Sequence, residues 1–431
     1  MLMVVHFSKR PTTSTNRNRA GKFFDSRIWE KEQEMDGNRI KHFSKDHASQ
    51  NIPLNYEEAY DLGRYALRGC DGDALAQIQS IAMLSALHNK ATYAWQWTHE
   101  GQRVHNGHNL PPNAAEQIAG VCAAIFDLDI GESKFGFANP DVPYVMDNCG
   151  MGGDLIVTAN VSTLAALIAA TAGIPMCKHG SPANADGGRH GSSDFISKTL
   201  GLDEFPEKEV LEQCVEAESF GYIEALDTYY KRIHRQTHDV AKLPHMNDIV
   251  GPITSPVNPR LLTRRVLGLN QLVSPAIAAE AYRILNQRGI TNLQHGLFVR
   301  GFADERHLKG IDEISICSGG TQVAELCGSD ILEFTLAAED FGISPVSVES
   351  ISPPEKMSKG DFSLNILHRK IGGAPLQMVL ANASLLFVLA GHAFSYLAGY
   401  KMAEEVFASG DVIKKVERLK MIIPTRGVRS R

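Results

Sequence analysis

Apolar residues recur at three- and four-residue spacing along residues 55–69, 73–87 and 91–100, the period that gives a helix one apolar face. The pattern predicts a bundle of short helices, with the Gly69-Cys70-Asp71-Gly72 break reversing the chain between the first two. From Val142 onward the pattern changes, and short β-branched runs alternate with helical stretches, as in an α/β lobe built around a sheet. Strands are predicted at 144–147, 174–177, 292–298 and 313–316, and an acidic amphipathic helix at 207–225. The chain closes with predicted helices at 376–390, 393–409 and 412–421, then a basic tail at 425–431. The fold class read from these periods is α/β.

A chain of 431 residues is too long for one small core and is expected to form two lobes. Its 43% apolar and 21% charged residues are ordinary for a soluble protein. A net charge of -6 argues against nucleic acid as the main partner, which normally leaves a basic surplus. The weakly polar runs at 161–176 and 378–391 are interrupted by Thr, Ser, Asn or Gly and are shorter than a bilayer requires, so no membrane span is expected. Seven cysteines without a CxxC pair speak against a disulfide framework or structural zinc and place the chain in a reducing compartment, the cytoplasm. The first twenty residues carry four Lys or Arg and no acid, as an organellar transit peptide or a disordered arm does. Residues 1–52 are read as a disordered basic extension, with the fold starting near Pro53.

The densest chemistry lies between Asp147 and Asp194. Gly150, Gly152 and Gly153, followed by Asp154, come after a short extended run and before an apolar helical stretch. Glycines there let backbone N–H groups approach a ligand, and a helix N-terminus favours an anion. Asn160, Ser162 and Thr163 stand at that helix start, where such side chains cap exposed N–H groups or donate to phosphate. Lys178, His179 and Gly180 end a second apolar run, and Gly191-Ser192-Ser193-Asp194 opens another helix. Two glycine-hydroxyl helix starts and a lysine so close together point to a doubly phosphorylated ligand.

These motifs resemble those of the anthranilate phosphoribosyltransferases and their two-domain relatives. Gly150–Asp154 is similar to the family's G-T-G-G-D, Asn160–Thr163 to N-I-S-T, Lys178–Gly180 to K-H-G, and Gly191–Asp194 to G-S-S-D. Further on, Asp248–Pro252 resembles N-I-L-G-P with Asn258-Pro259 after it, Gly310–Ser315 resembles G-M-D-E-I-S, and Leu380–Ala383 resembles L-N-A. The resemblance runs from about Asn55 to the end of the chain. It implies a small discontinuous helical domain, residues 53–130 with 200–235 returning to it, and a larger α/β domain, 140–431, whose central mixed sheet is flanked by helices. A homodimer through the helical lobe is implied as well.

The implied reaction transfers phosphoribosyl from phosphoribosyl pyrophosphate to an aromatic amine, anthranilate or a related acceptor, in tryptophan synthesis or a specialised pathway. Catalysis would rest on holding the departing anion. Gly150, Gly152 and Gly153 would cradle pyrophosphate, with Asp154 orienting the loop or a metal-bound water; Asn160, Ser162, Thr163, Lys178 and Ser192 would meet phosphate and ribose oxygens. Asp312 and Glu313, with Ser162, would hold Mg2+, a hard cation that takes oxygen ligands. His179 and His238 are candidates for acceptor contact. His234 and His238 are four apart, a zinc-ligand spacing, without the H-E-x-x-H glutamate.

The departures concentrate on the acceptor side. Met151 replaces the motif threonine, Ser181 the asparagine after K-H-G, and Leu155-Ile156 a Gly-Ser pair. Pro244 and His238 fall where acceptor-holding arginines are expected, with Lys231, Arg232 and Arg235 nearby. Two rival readings are a nucleoside phosphorylase, whose second lysine-glycine element is not found, and a non-enzymatic relative that binds nucleic acid or a protein partner.

Overall fold

The computed structural model describes residues 54–91, 95–97, 103–105, 114–152, 156–182, 191–224, 232, 247–270, 273–307 and 309–423. Strands β1 (Trp95–Trp97) and β2 (Arg103–His105) form a small antiparallel hairpin. The main sheet contains β3 (Val145–Gly150), β4 (Met176–Gly180), β5 (Phe220–Glu224), β6 (Leu262–Gly268), β7 (His295–Phe302), β9 (Thr321–Cys327) and β10 (Asp330–Leu336), in the order β10-β9-β7-β6-β3-β4-β5. The short β8 (Gly310–Ile311) pairs with β7. Strands β7-β6-β3-β4-β5 run parallel, β8 and β9 are antiparallel to β7, and β10, antiparallel to β9, runs with the parallel set. The α/β class with a central mixed sheet is thus what the sequence periods and the resemblance imply.

Chain order explains where a ligand can enter. From β3 the chain builds outward to β4 and β5, then restarts on the other side with β6 and β7. The first connections of the two directions leave the sheet on opposite sides, which opens a crevice beyond the carboxyl ends of β3 and β6.

Strand alternation divides the core in two. Met146, Met176, Val266, Leu297 and Val299 face one cluster, with the helix Val161–Thr171 and the C-terminal helices Ala374–Leu389 and Tyr396–Ser409. Cys149, Leu267 and Phe298 face another, shared with the helices Tyr56–Cys70, Ala114–Ala124, Asn247–Ile253 and Pro275–Gln287. The helix Lys208–Glu218 packs Leu211 and Val215 near Cys177 and Ile223 at the β5 edge. Arg232 pairs instead with Asp71 and Asp129 beside the N-terminal helices.

Several elements differ from the sequence expectation. The helix expected at 91–100 is replaced at Trp95–Trp97 by a strand, in keeping with the strand preference of tryptophan. The acidic helix ends at Glu218, where Ser219 turns left-handed at φ 55°, and the chain enters β5. β7 begins at His295, three residues late, because the Asn286 side chain binds both Leu293 N and Leu293 O. No strand forms at 313–316; the nearest is β8, just before it at Gly310–Ile311. Beyond it Ile314 N donates to Asn382 Oδ1 at 2.9 Å and Ser315 N to Thr321 Oγ1 at 2.8 Å. Side chains have taken the place of a neighbouring strand.

Asn382, buried on the Ala374–Leu389 helix, also donates to Ile314 O at 3.3 Å and Met378 O at 2.9 Å. Replacing it with alanine orphans buried backbone groups, so Asn382→Ala should lower the unfolding free energy by about 2 to 4 kcal/mol in urea denaturation.

Candidate active site

The crevice at the β3 and β6 ends is an open, mostly polar cleft. Its lining includes Gly150, Gly152, Asn160, Ser162, Lys178, Ser192, Asp312 and Glu313, which the sequence motifs single out, and also Cys149, Gly180, Ser181 and Lys359. Residues scattered over more than two hundred positions meet because β3, β4 and the 310–315 segment end at one place.

Glycine makes that convergence physically permissible. A Cβ on Gly268 would fall on the Asp312 carbonyl, and one on Gly150 would fall on the Asp312 carboxylate. The acid therefore lies directly across the ends of β3 and β6. Gly152, at φ 74°, donates its N–H to Asp312 Oδ2 at 2.6 Å, while Asn270 holds Gly152 O at 2.7 Å.

Glu313 caps the neighbouring helix. Its Oε1 accepts from Ser162 N at 3.1 Å, at the positive end of the Val161–Thr171 helix. Asn160, at the N-cap, makes no capping bond. It reaches Gly191 O at 3.3 Å and accepts from Ser363 Oγ at 3.0 Å, tying the helix start to two other loops. Lys178 is 1% exposed and donates to Asn148 O at 2.7 Å and Ser162 Oγ at 3.2 Å. Ser192 Oγ lies 2.9 Å from Tyr222 OH.

The acid pair carries the site's electrostatic strain. Burial, followed by the Asp312 carboxylate next to it, pushes Glu313 up to about 8, although Lys178, the Ser162 N–H and Lys359 oppose this. Such a carboxyl is poised to gain a cation. Asn148 Oδ1, buried alongside, finds no hydrogen-bond partner among the described residues. Two carboxylates and the Ser162 hydroxyl, which line the same cleft, form a hard-oxygen donor set that fits Mg2+.

Two expected contacts are placed elsewhere. Thr163 is 0% exposed and its hydroxyl has no partner among the described residues, so it packs into the core instead of reaching the cleft. His179 is also buried, since alternation along β4 turns it to the sheet face opposite Lys178. Its Nδ1 is 2.9 Å from Asp147 Oδ2 and its Nε2 3.3 Å from Gly251 O. Burial works against Asp147 ionising, but His179, Arg265 and Lys178 hold its carboxyl below the usual range. Asp147, Cys149 and His179 are clustered closely enough for a metal, yet the Arg265 guanidinium already contacts Asp147 and Cys149. Gly153, Asp154, His234 and His238 lie outside the described residues.

The acceptor-side departures have definite positions. Met151 packs into the core and donates its N–H to Gly268 O at 3.0 Å, while Ile156 and Ser181 line the cleft. Arg232, a nearby candidate for an acceptor clamp, is held by Asp129, Asp71 and Leu128 O. Lys231, Arg235 and Pro244 lie outside the described residues.

This architecture matches known proteins. Residues 142–413 match the Glycosyl transferase family, a/b domain. A relative from Rubrobacter xylanophilus named anthranilate phosphoribosyltransferase is 31% identical over 282 residues, 64% of this chain and 75% of that one. The chain belongs to the anthranilate phosphoribosyltransferase family. A family member from Haloarcula marismortui, with the same name, is 28% identical over 360 residues, 83% of this chain and 99% of its own. In fold, the chain is similar to anthranilate phosphoribosyltransferase from Saccharomyces cerevisiae in complex with PRPP and Mg. The TM-score is 0.69 at 20% identity, over 91% of this chain and 100% of that one.

The raised Glu313 carboxyl predicts a pH signature in this family member. Between the ordinary value of 4.5 and about 8 the folded state holds a proton that the unfolded state has lost. Its contribution to metal-free stability is therefore full below the lower value and declines as pH rises to the upper one. Mg2+ requires the carboxylate, so its stabilising effect should grow over the same window. Thermal melts from pH 5 to 9, with and without Mg2+, check both trends, and Glu313→Gln should flatten them.

Proposed function

We propose that the chain is a Mg2+-dependent phosphoribosyltransferase that moves phosphoribosyl from phosphoribosyl pyrophosphate to anthranilate or a related aromatic amine, releasing pyrophosphate. The observation that carries this reading is the acid pair Asp312, buried, and Glu313, half-buried, in one cleft with Lys178 and the N-terminus of the Val161–Thr171 helix. That combination suits a polyanion brought with its own divalent cation. Family membership and the relatives' names support it.

The chemistry follows from charge. The bond from the anomeric carbon to pyrophosphate breaks, the acceptor nitrogen bonds to that carbon, and the nitrogen gives up a proton. Positive charge grows on the ribose and negative charge on the leaving group. Bound at Asp312, Glu313 and Ser162, Mg2+ would neutralise pyrophosphate charge. Lys178 and the backbone N–H groups of the glycine-rich turn would supply fixed positive potential, already oriented before the reaction. A nucleic-acid groove would need accessible basic side chains, whereas Lys178 is buried against Asn148 and Ser162, which favours a small anion.

Calorimetric titration with phosphoribosyl pyrophosphate tests the assignment. Binding should require Mg2+ and weaken by at least about 100-fold in the Asp312→Ala, Glu313→Ala double variant. An intact wild-type protein that binds nothing under these conditions defeats it.

We also propose that the chain forms a homodimer through its helical lobe. Leu75 and Ile78 are 59% and 68% exposed on the Ala74–Ala91 helix, and such apolar residues suit a covered face. Light scattering after gel filtration should report twice the chain mass, and Leu75→Glu with Ile78→Glu should give the monomer; a monomeric wild type rules the dimer out.

A further inference from the structure

Arg265 is one of the largest fully buried side chains of the molecule, at 0% exposure. Keeping a guanidinium out of water is costly unless most of its donors and its charge find partners. Here Nη2 is 3.1 Å from Asp147 Oδ2 and 3.0 Å from Cys149 Sγ, Nη1 donates to Ile253 O at 2.7 Å, and Pro252 O and Tyr282 OH accept further bonds, while Nε has no partner among the described residues. Tyr282 in turn donates to Ile253 O at 2.9 Å, and His179 Nε2 lies 3.3 Å from Gly251 O. Three successive carbonyls, 251 to 253, therefore meet the same polar cluster. They belong to the last turn of the Asn247–Ile253 helix, whose carbonyls lack helical partners and whose negative end attracts a cation.

The cluster is built by register. Asp147 and Arg265 are paired across the β3-β6 ladder, and His179 comes from the adjoining β4. All three lie on the sheet face opposite Lys178 and Asn148, because side chains alternate along each strand. From that face the cluster reaches the cleft through Cys149, which lines it and whose Sγ lies 3.5 Å from Pro252 O. The pyrophosphate-holding groups Ser162 and Lys178 stand on the other side. An in-line displacement brings the acceptor nitrogen from the side away from the leaving pyrophosphate.

We propose that Arg265 is a positioning residue that, with Asp147 and Tyr282, clamps Gly251–Ile253 to the sheet and so fixes the acceptor-side wall of the cleft at Cys149. The inference deepens the transferase reading and rests on it for the identity of the two substrates. The clamp itself is independent of them.

The test compares Arg265→Gln with the milder Tyr282→Phe, which keeps the ring and removes one donor to Ile253 O. In hydrogen exchange of the full chain, amides at 149–152 and 251–254 should exchange about tenfold faster, or more, while the Val161–Thr171 helix changes less than about twofold. In kinetics, the KM for anthranilate should rise about tenfold or more, with the dissociation constant for Mg2+-phosphoribosyl pyrophosphate within about twofold of wild type. Tyr282→Phe should move the same segments by less, and it decides the matter if Arg265→Gln does not fold. Uniform acceleration of exchange over all helices with both substrate constants unchanged would make Arg265 a core stabiliser only and overturn the proposal. A wild type that binds no Mg2+-phosphoribosyl pyrophosphate overturns the transferase reading instead, leaving the exchange pattern to judge the clamp.

Discussion

Two acidic residues side by side in a buried place are costly, and the rest of the site is arranged around that cost. Asp312 lies across the paired ends of β3 and β6, in space that exists only because Gly150 and Gly268 carry no side chain, and Glu313 follows it into the cleft. Their charge is answered by a backbone N–H at Gly152, the N-terminus of the Val161–Thr171 helix, and Lys178. None of these is an ion pair sufficient by itself. The raised Glu313 carboxyl records the residual imbalance, which a divalent cation bound with a phosphorylated ligand would remove.

The parallel sheet gives this site two separately supported walls. Along β3 and β4, Asn148 and Lys178 face the helix that starts at Val161, while Asp147 and His179 face the helix ending at Ile253. Each strand thus carries a residue tied to that helix start on one face and a member of a buried polar cluster on the other. Small shifts in β3 would be felt on both walls, because protein interiors are packed too densely to absorb them. The tight support of Gly152 by Asn270 and of Asn160 by Ser363 has the same purpose: a catalytic arrangement that works by electrostatics must be rigid before the charge appears.

Much of the fold and of the cleft's lining was legible in the residues. Periodicity separated the helical segments from the α/β region, and Gly150, Asn160, Ser162, Lys178, Ser192, Asp312 and Glu313 all line one cleft. The hairpin of β9 and β10 carries its own local signal, two alternating segments that flank the Gly328-Ser329 turn. Strand β6 is harder to see. Its sequence, LTRRVLG, places Arg265 in a fully buried position, and no local rule distinguishes a buried arginine from a solvated one.

What the chain determined by itself is a set of local properties: helix and strand periods, turns, and motif residues whose side chains or missing side chains suit a phosphorylated ligand. Tertiary structure decided which of those residues share a space. It turned His179 away from the cleft and Thr163 into the core, and it brought Lys359 beside the acids. It also joined Asp147, Arg265 and Tyr282 across three elements. The reason is that the side a residue faces depends on the strand register and on the partner helices. These are settled by packing among segments far apart in the chain, so neither can be read from a residue's own neighbours.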